Sequence, residues 1–231
     1  MEQKLTDAIN IVFVLFPNVT QLDFTGPLQV LSRLPGAKVH IVAKSLAPIA
    51  TDAALTLNPN CTFGGCPPAD VLVVPGGFGI DDAMNDSGLM AFVKREGARA
   101  KYATSVCTGA FILGAAGFLK GRRATTHWAY HDELRKVGAI PVKARVVRDG
   151  NIFTGGGVTA GIDFAFTLAA EIAGVAAAKA IQLGLEYDPA PPLDGGSPEK
   201  AETETLAAMR ERYRPRLEEF RRALARSADA P

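Results

Sequence analysis

Ala103-Thr104-Ser105-Val106-Cys107-Thr108-Gly109-Ala110 ends a short strand of buried character on one cysteine and opens a run of small residues. This is the layout of a nucleophile elbow, with Cys where hydrolases carry Ser. Gly109 and Ala110 let a tight strand-to-helix turn form. They also leave Cys107 at a helix N-terminus, where free N–H groups and the dipole favour a thiolate. A buried structural cysteine would look similar locally, so the neighbouring segments have to decide.

Working outward, strands alternate with helices. Ile9 to Phe16 is a nearly continuous apolar run, the pattern of a strand buried on both faces. A helix-like stretch follows from Phe24 to Leu34, with Pro27 in its first turn. Lys38 to Ala43, Asp70 to Val74 and Tyr102 to Val106 read as further strands, and 46–63 as a small hairpin region. Helical patterns fill 80–98, 108–119, 129–137, 159–173 and 175–186. Arg123 to His127 reads as a strand, and Val142 to Phe153 as two strands around the turn Asp149-Gly150. The alternation predicts an α/β fold: a flavodoxin-like parallel sheet with helices on both faces. Ligands in such sheets bind beyond the carboxyl ends of the strands, where the loops after Phe16, Val74 and Val106 converge.

Residues 188–198 (DPAPPLDGGSP) form a Pro/Gly linker. Beyond it Leu206, Met209, Tyr213, Leu217, Phe220 and Leu224 recur at three and four residues, one apolar stripe on a long helix containing Pro215. The stripe fits packing on its own domain or on a second subunit, and periodicity does not choose. The expected organisation is therefore an α/β domain over 1–188, then linker and amphipathic C-terminal helix over 189–231.

The 231 residues, 48% hydrophobic and 21% charged, suit one globular unit with its own core. A net charge of +1 gives no bulk reason to expect nucleic acid or an anionic membrane as partner. Three cysteines (Cys61, Cys66, Cys107) close no disulfide framework and lack paired zinc spacing. No metal is expected. The first apolar run is too short to span a bilayer, so the expected setting is cytoplasmic.

Other residues gain meaning from their place in this fold. Pro75-Gly76-Gly77 follows a buried strand, and its amides could stabilise developing negative charge. Asp23, in the loop Gln21-Leu22-Asp23-Phe24-Thr25-Gly26-Pro27, reads as a helix-start acid or as a carboxyl facing Cys107. In the second case burial and the thiolate would both raise its pKa. His127, in Ala124-Thr125-Thr126-His127-Trp128, fits a base for the cysteine or an ordinary core histidine. His40, His131, Cys61 and Cys66 read as structural.

Together Ser105-Val106-Cys107-Thr108-Gly109, the block Arg122 to Trp128, the loop Leu22 to Pro27, Pro75-Gly76-Gly77 and Thr154 to Phe164 resemble the PfpI-like superfamily, over nearly the whole chain. Asp23 with Cys107-Thr108 is most similar to its bacterial isocyanide hydratase branch. PfpI-type proteases usually carry His after the nucleophile, where this chain has Thr108. Other branches carry Glu where it has Asp23. Glutamine amidotransferases need a late His and Glu, and here that segment offers Asp163 without His. Regulators that share the Ala-Thr-Thr-His-Trp block carry about a hundred residues of helix-turn-helix. Only about forty residues follow the core here, with one long helical pattern.

The resemblance implies a lyase that hydrates a small neutral isocyanide to the formamide, with no cofactor, in a homodimer. Its expected catalytic residues are Cys107, Asp23 and Thr108. Gly77 and Val158 would stabilise the intermediate, and His127 would stand just outside as a supporting neighbour. The alternatives are another cysteine-dependent activity of the same scaffold, of amidase or glyoxalase/deglycase type, or a cysteine redox sensor.

Overall fold

The computed structural model describes residues 8–228. In chain order its elements are β1 (Ile9–Val14), α1 (Gln21–Leu31), β2 (Ala37–Ala43), β3 (Ile49–Ala50), β4 (Thr56–Leu57), β5 (Cys61–Thr62), β6 (Val71–Val74), α2 (Ile80–Asn85), α3 (Ser87–Arg99), β7 (Tyr102–Val106) and α4 (Gly109–Ala115). They continue with β8 (Arg123–Ala124), a 3-10 segment (Trp128–Val137), β9 (Ile140–Pro141), β10 (Val146–Asp149), β11 (Ile152–Gly155), α5 (Ala160–Ala173), α6 (Val175–Gly184) and α7 (Thr203–Ala228).

The main sheet runs β10-β11-β7-β6-β1-β2-β5. Every pair is parallel except the edge hairpin β10–β11, which turns at Asp149-Gly150. Register places Val12 of β1 between His40 and Leu72, and Val73 beside Thr104. β1, β6, β7 and β11 are buried over most or all of their length, which is why their sequences are apolar runs without alternation. α1 packs with α5 on one face, while α3 and α4 pack against β6 and β7 on the other. The α/β reading of the alternating pattern holds, with one antiparallel edge strand.

Local departures have physical causes. α1 begins at Gln21, not Phe24, because Thr20 is fixed by its N–H to the Gly76 carbonyl (2.9 Å) and accepts from the Asp23 N–H (3.1 Å). Pro27 therefore lies inside the helix instead of its first turn, where its missing N–H leaves the Asp23 carbonyl without a helical donor. Its ring packs close to Gly161 of α5. The single helix expected over 80–98 is two. Asp86 interrupts it and caps α3, accepting from Gly88 (2.9 Å) and Leu89 (3.1 Å). The helix expected at 129–137 is wound as 3-10. Cys61, in the region expected to form a small hairpin, instead pairs in parallel with Val42 as the first residue of the edge strand β5.

α7 lies on α2 and the 3-10 segment. Phe220 is fully buried, with its ring 4.6 Å from Phe111 and 5.1 Å from Tyr130. Arg216 binds Asp81 and donates to the Phe78 carbonyl (2.6 Å). Arg221 donates to Glu133 (2.7 Å). This chain therefore covers the C-terminal half of the stripe itself, and the helix runs through Pro215 without a break. Among the described residues no helix is long and apolar enough to cross a membrane.

Candidate active site

Cys107 follows β7 directly and adopts φ +55°. Most side chains avoid that region, at about 1–3 kcal/mol, and persist in it only where surrounding structure dictates it. Here the constraints are explicit. The Cys107 N–H donates to the carbonyls of Gly155 (3.0 Å) and Gly156 (2.9 Å). Its own carbonyl accepts the Thr126 hydroxyl at 2.7 Å. The residue is 5% exposed.

Asp23, in the first turn of α1, is fully buried. Its Oδ2 accepts the Gly76 N–H at 2.9 Å. Oδ1 is buried without a well-formed hydrogen bond, and the carboxyl group interacts directly with the Cys107 thiol. Burial raises the Asp23 pKa from 3.8 to about 7, against the lowering effect of the Gly76 N–H and the thiol. The cysteine responds in the same sense. Burial, then the Asp23 charge, push the thiol well above 9.0, while the Thr108 and Val158 N–H groups pull it down. The helix-start amides expected to favour a thiolate are thus present, but burial outweighs them. Asp23 pushes the thiol up while the thiol's hydrogen bond eases ionisation of Asp23, so the two titrate as a coupled pair and the singly protonated pair carries one negative charge.

The amides are arranged differently from the expectation for Gly77. Its N–H is already engaged by Thr108 Oγ1 at 3.0 Å. The backbone donors at the sulfur belong to Thr108 and Val158. Val158 has φ +24°, in the turn that follows Gly155-Gly156-Gly157 and aims its N–H at the thiol. Gly76 admits no side chain: a Cβ there would stand 2.5 Å from the Thr108 nitrogen and 2.9 Å from Asp23 Oδ2.

His127 does not hydrogen-bond Cys107. Its Nδ1 accepts the Ala129 N–H (3.3 Å) and starts the 3-10 segment. Burial lowers its pKa to about 4, so the ring is neutral. It stands among Trp128 (5.6 Å), Tyr130 (6.1 Å) and Tyr213 (5.3 Å). Asp163 lies away from the sulfur, bonded to Arg145 and to the Tyr187 hydroxyl (2.7 Å). Cys61 opens β5 at the far edge of the sheet order, and Cys66 follows it outside the strand.

An open cleft of about 1030 Å³ borders the site, lined by Thr126, His127, Trp128, Gly157, Val158 and Tyr213 among others. Cys107 is not on the cleft wall, but Thr126 and Val158, which hydrogen-bond it, are. Tyr213 and Tyr130 were missed by sequence reasoning. Both interact electrostatically with Cys107, yet in the sequence Tyr213 is only a member of an apolar stripe and Tyr130 only one residue of the helical pattern 129–137. The chemistry the arrangement supports is a soft nucleophile beside a buried, easily protonated carboxyl group, with backbone donors on the sulfur.

The sequence model of the DJ-1/PfpI family matches residues 9–171. An isonitrile hydratase of Pseudomonas putida is 56% identical over 210 residues, covering 91% of this chain and 92% of that protein. A solved structure of a THiJ/PfpI family protein from Pseudomonas syringae superposes with a TM-score of 0.92 at 44% identity, covering 99% of this chain and 94% of the other. The Drosophila melanogaster DJ-1beta structure superposes at 0.71 with 22% identity, covering 79% of this chain and all of that one.

Proposed function

The chain belongs to the DJ-1/PfpI family, and from that premise we propose that it is an isonitrile hydratase, converting R–N≡C and water to R–NH–CHO. The observation that carries the reading is the buried Asp23–Cys107 pair, and the Pseudomonas putida isonitrile hydratase at 56% identity supports it.

The proposed course needs only residues of this chain. A proton passes from the Cys107 thiol to the Asp23 carboxylate, and the thiolate attacks the terminal carbon. A C–S bond forms, and Asp23 delivers its proton to that carbon, leaving a thioimidate, R–N=CH–S–Cys107. Asp23, again a carboxylate, accepts a proton from water as the oxygen adds to the same carbon, then passes it to nitrogen. Finally Asp23 takes the remaining hydroxyl proton. The C–S bond breaks, the formamide leaves, and the pair regains its single charge. The Thr108 and Val158 N–H groups stabilise the sulfur as it accepts and releases the carbon. Gly77 acts indirectly, holding the Thr108 hydroxyl, and His127 remains a neutral neighbour.

The other expectations enter as proposals on the same footing: a homodimer, a cytoplasmic setting, and residues 189–231 as an extension on the 1–188 domain. The test is incubation with an aromatic isonitrile, following formamide by absorbance, beside Cys107→Ala. Turnover by the wild type alone supports the reading. No turnover across alkyl and aromatic isonitriles sinks it.

A further inference from the structure

The family match ends at residue 171, and DJ-1beta is covered in full by 79% of this chain. α7 lies beyond the family match, yet it reaches the site. Two charged latches hold it there: Arg216 to Asp81 and the Phe78 carbonyl, and Arg221 to Glu133. Phe220 anchors it between Phe111 and Tyr130. Tyr213 lies on the same side of α7 as Arg216 and Phe220, one and two turns earlier. Its ring stands 5.6 Å from Trp128 at 78° and 5.3 Å from His127, on the cleft wall that also carries Gly157 and Val158. It is half-buried, and its hydroxyl bonds no described residue.

We propose that Tyr213 of α7, with Trp128, is the specificity-determining wall for the R group of the substrate. The pair favours flat aromatic groups over flexible alkyl chains. The argument is one of direction. The isonitrile is linear, so a terminal carbon at Cys107 sends R straight outward. Val158, whose N–H meets the sulfur, and Thr126, whose hydroxyl meets the Cys107 carbonyl, both line the cleft that these two rings also line. Perpendicular rings offer an incoming aryl group an edge and a face together, the geometry aromatic pairs prefer. A pentyl chain must lose rotamer freedom to use the same surface. The phenol interacts electrostatically with Cys107, which places it within range of the reacting centre without giving it a proton-transfer role.

The inference rests on the hydratase reading for its substrate, so the experiment has an arm that does not. The first arm compares phenyl and n-pentyl isonitrile for wild type, Tyr213→Ala, Tyr213→Leu and Tyr213→Phe. Ala and Leu should lower the aryl-over-alkyl ratio of kcat/KM about tenfold, mainly through KM, while Phe keeps the ratio. Leu preserves bulk, so it separates loss of the ring from loosening of α7. The second arm measures alkylation of Cys107 by N-phenylmaleimide and N-ethylmaleimide, read by peptide mass spectrometry. The phenyl preference of the wild type should fall toward parity in Ala and Leu. Ratios unchanged by Ala and Leu in both arms, or rates falling equally for both partners, overturn the proposal. A wild type inert to isonitriles overturns the hydratase reading alone, and the maleimide ratio still decides on Tyr213.

Discussion

The Thr126 hydroxyl donates to the Cys107 carbonyl across 2.7 Å, both groups buried and nineteen residues apart. It ties the backbone of the positive-φ residue to the loop after β8. Thr126→Val should leave that carbonyl only the long Ala110 N–H bond (3.4 Å), at a cost of about 0.5–1.5 kcal/mol, visible as a lower denaturation midpoint, and should lower kcat. Thr126→Ser should recover both. Equal kcat for Val and wild type would show that the tie does not hold the nucleophile.

The pH dependence of activity follows from the pair. Below about 7 the Asp23 carboxyl is protonated while Cys107 remains a thiol, so no acceptor is available to generate thiolate. Above it one proton is shared. Activity should therefore rise with pH through about 7, measured as kcat/KM, and fall only where the second proton leaves in strongly alkaline solution. Asp23→Asn should abolish turnover while Cys107 remains open to small alkylators. That result separates a hydratase from a redox sensor, which needs no carboxyl group.

Stability should respond to Asp23 in the opposite sense from activity. Its folded pKa is raised, so its contribution is full below 3.8 and is lost as pH rises to about 7. Asp23→Asn removes that loss. Compared by thermal denaturation, the variant should gain on the wild type across this window. A constant difference between the two would contradict the raised value.

His127 should act in the other direction. Its folded pKa is depressed to about 4, so its contribution is present above 6.5 and is lost as pH falls toward 4. His127→Gln should flatten the acid side of the stability curve. The same denaturation series reads it, and a curve as steep as the wild type's would refute the buried neutral ring.

Gly76→Ala should cost activity far more than stability. The added carbon would stand 2.5 Å from the Thr108 nitrogen and 2.6 Å from its hydroxyl, so Thr108 or Asp23 must move. A loss of about a hundredfold in kcat/KM is expected, since small displacements of positioned groups carry costs of that order. Retained activity would mean the loop shifts without disturbing the pair.

The fold was legible because its strands are buried on both faces and therefore apolar without interruption; Val71–Val74 is an example. The Cys107 elbow was legible because a strand end, a cysteine and small residues adjoin in sequence. Contacts between distant segments were not. Nothing local marks Thr126 as a partner of Cys107, or shows that Thr108 already holds the Gly77 N–H. Pro27 was misplaced because the start of α1 is fixed by a carbonyl from Gly76, a tertiary contact. Tyr213 was visible as apolar periodicity, but not the surface it faces.

The depth of Cys107 acts as a sieve on shape. A carbonyl carbon carries two substituents and a projecting oxygen, and must present its face to a nucleophile. The terminal carbon of an isonitrile carries nothing beyond its bond to nitrogen and can be threaded tip first. A cysteine 5% exposed can meet such a rod with little hindrance, while broader electrophiles reach it more slowly. The burial that makes the thiol a reluctant acid would thus also slow its reaction with the aldehydes and esters that an exposed cysteine encounters.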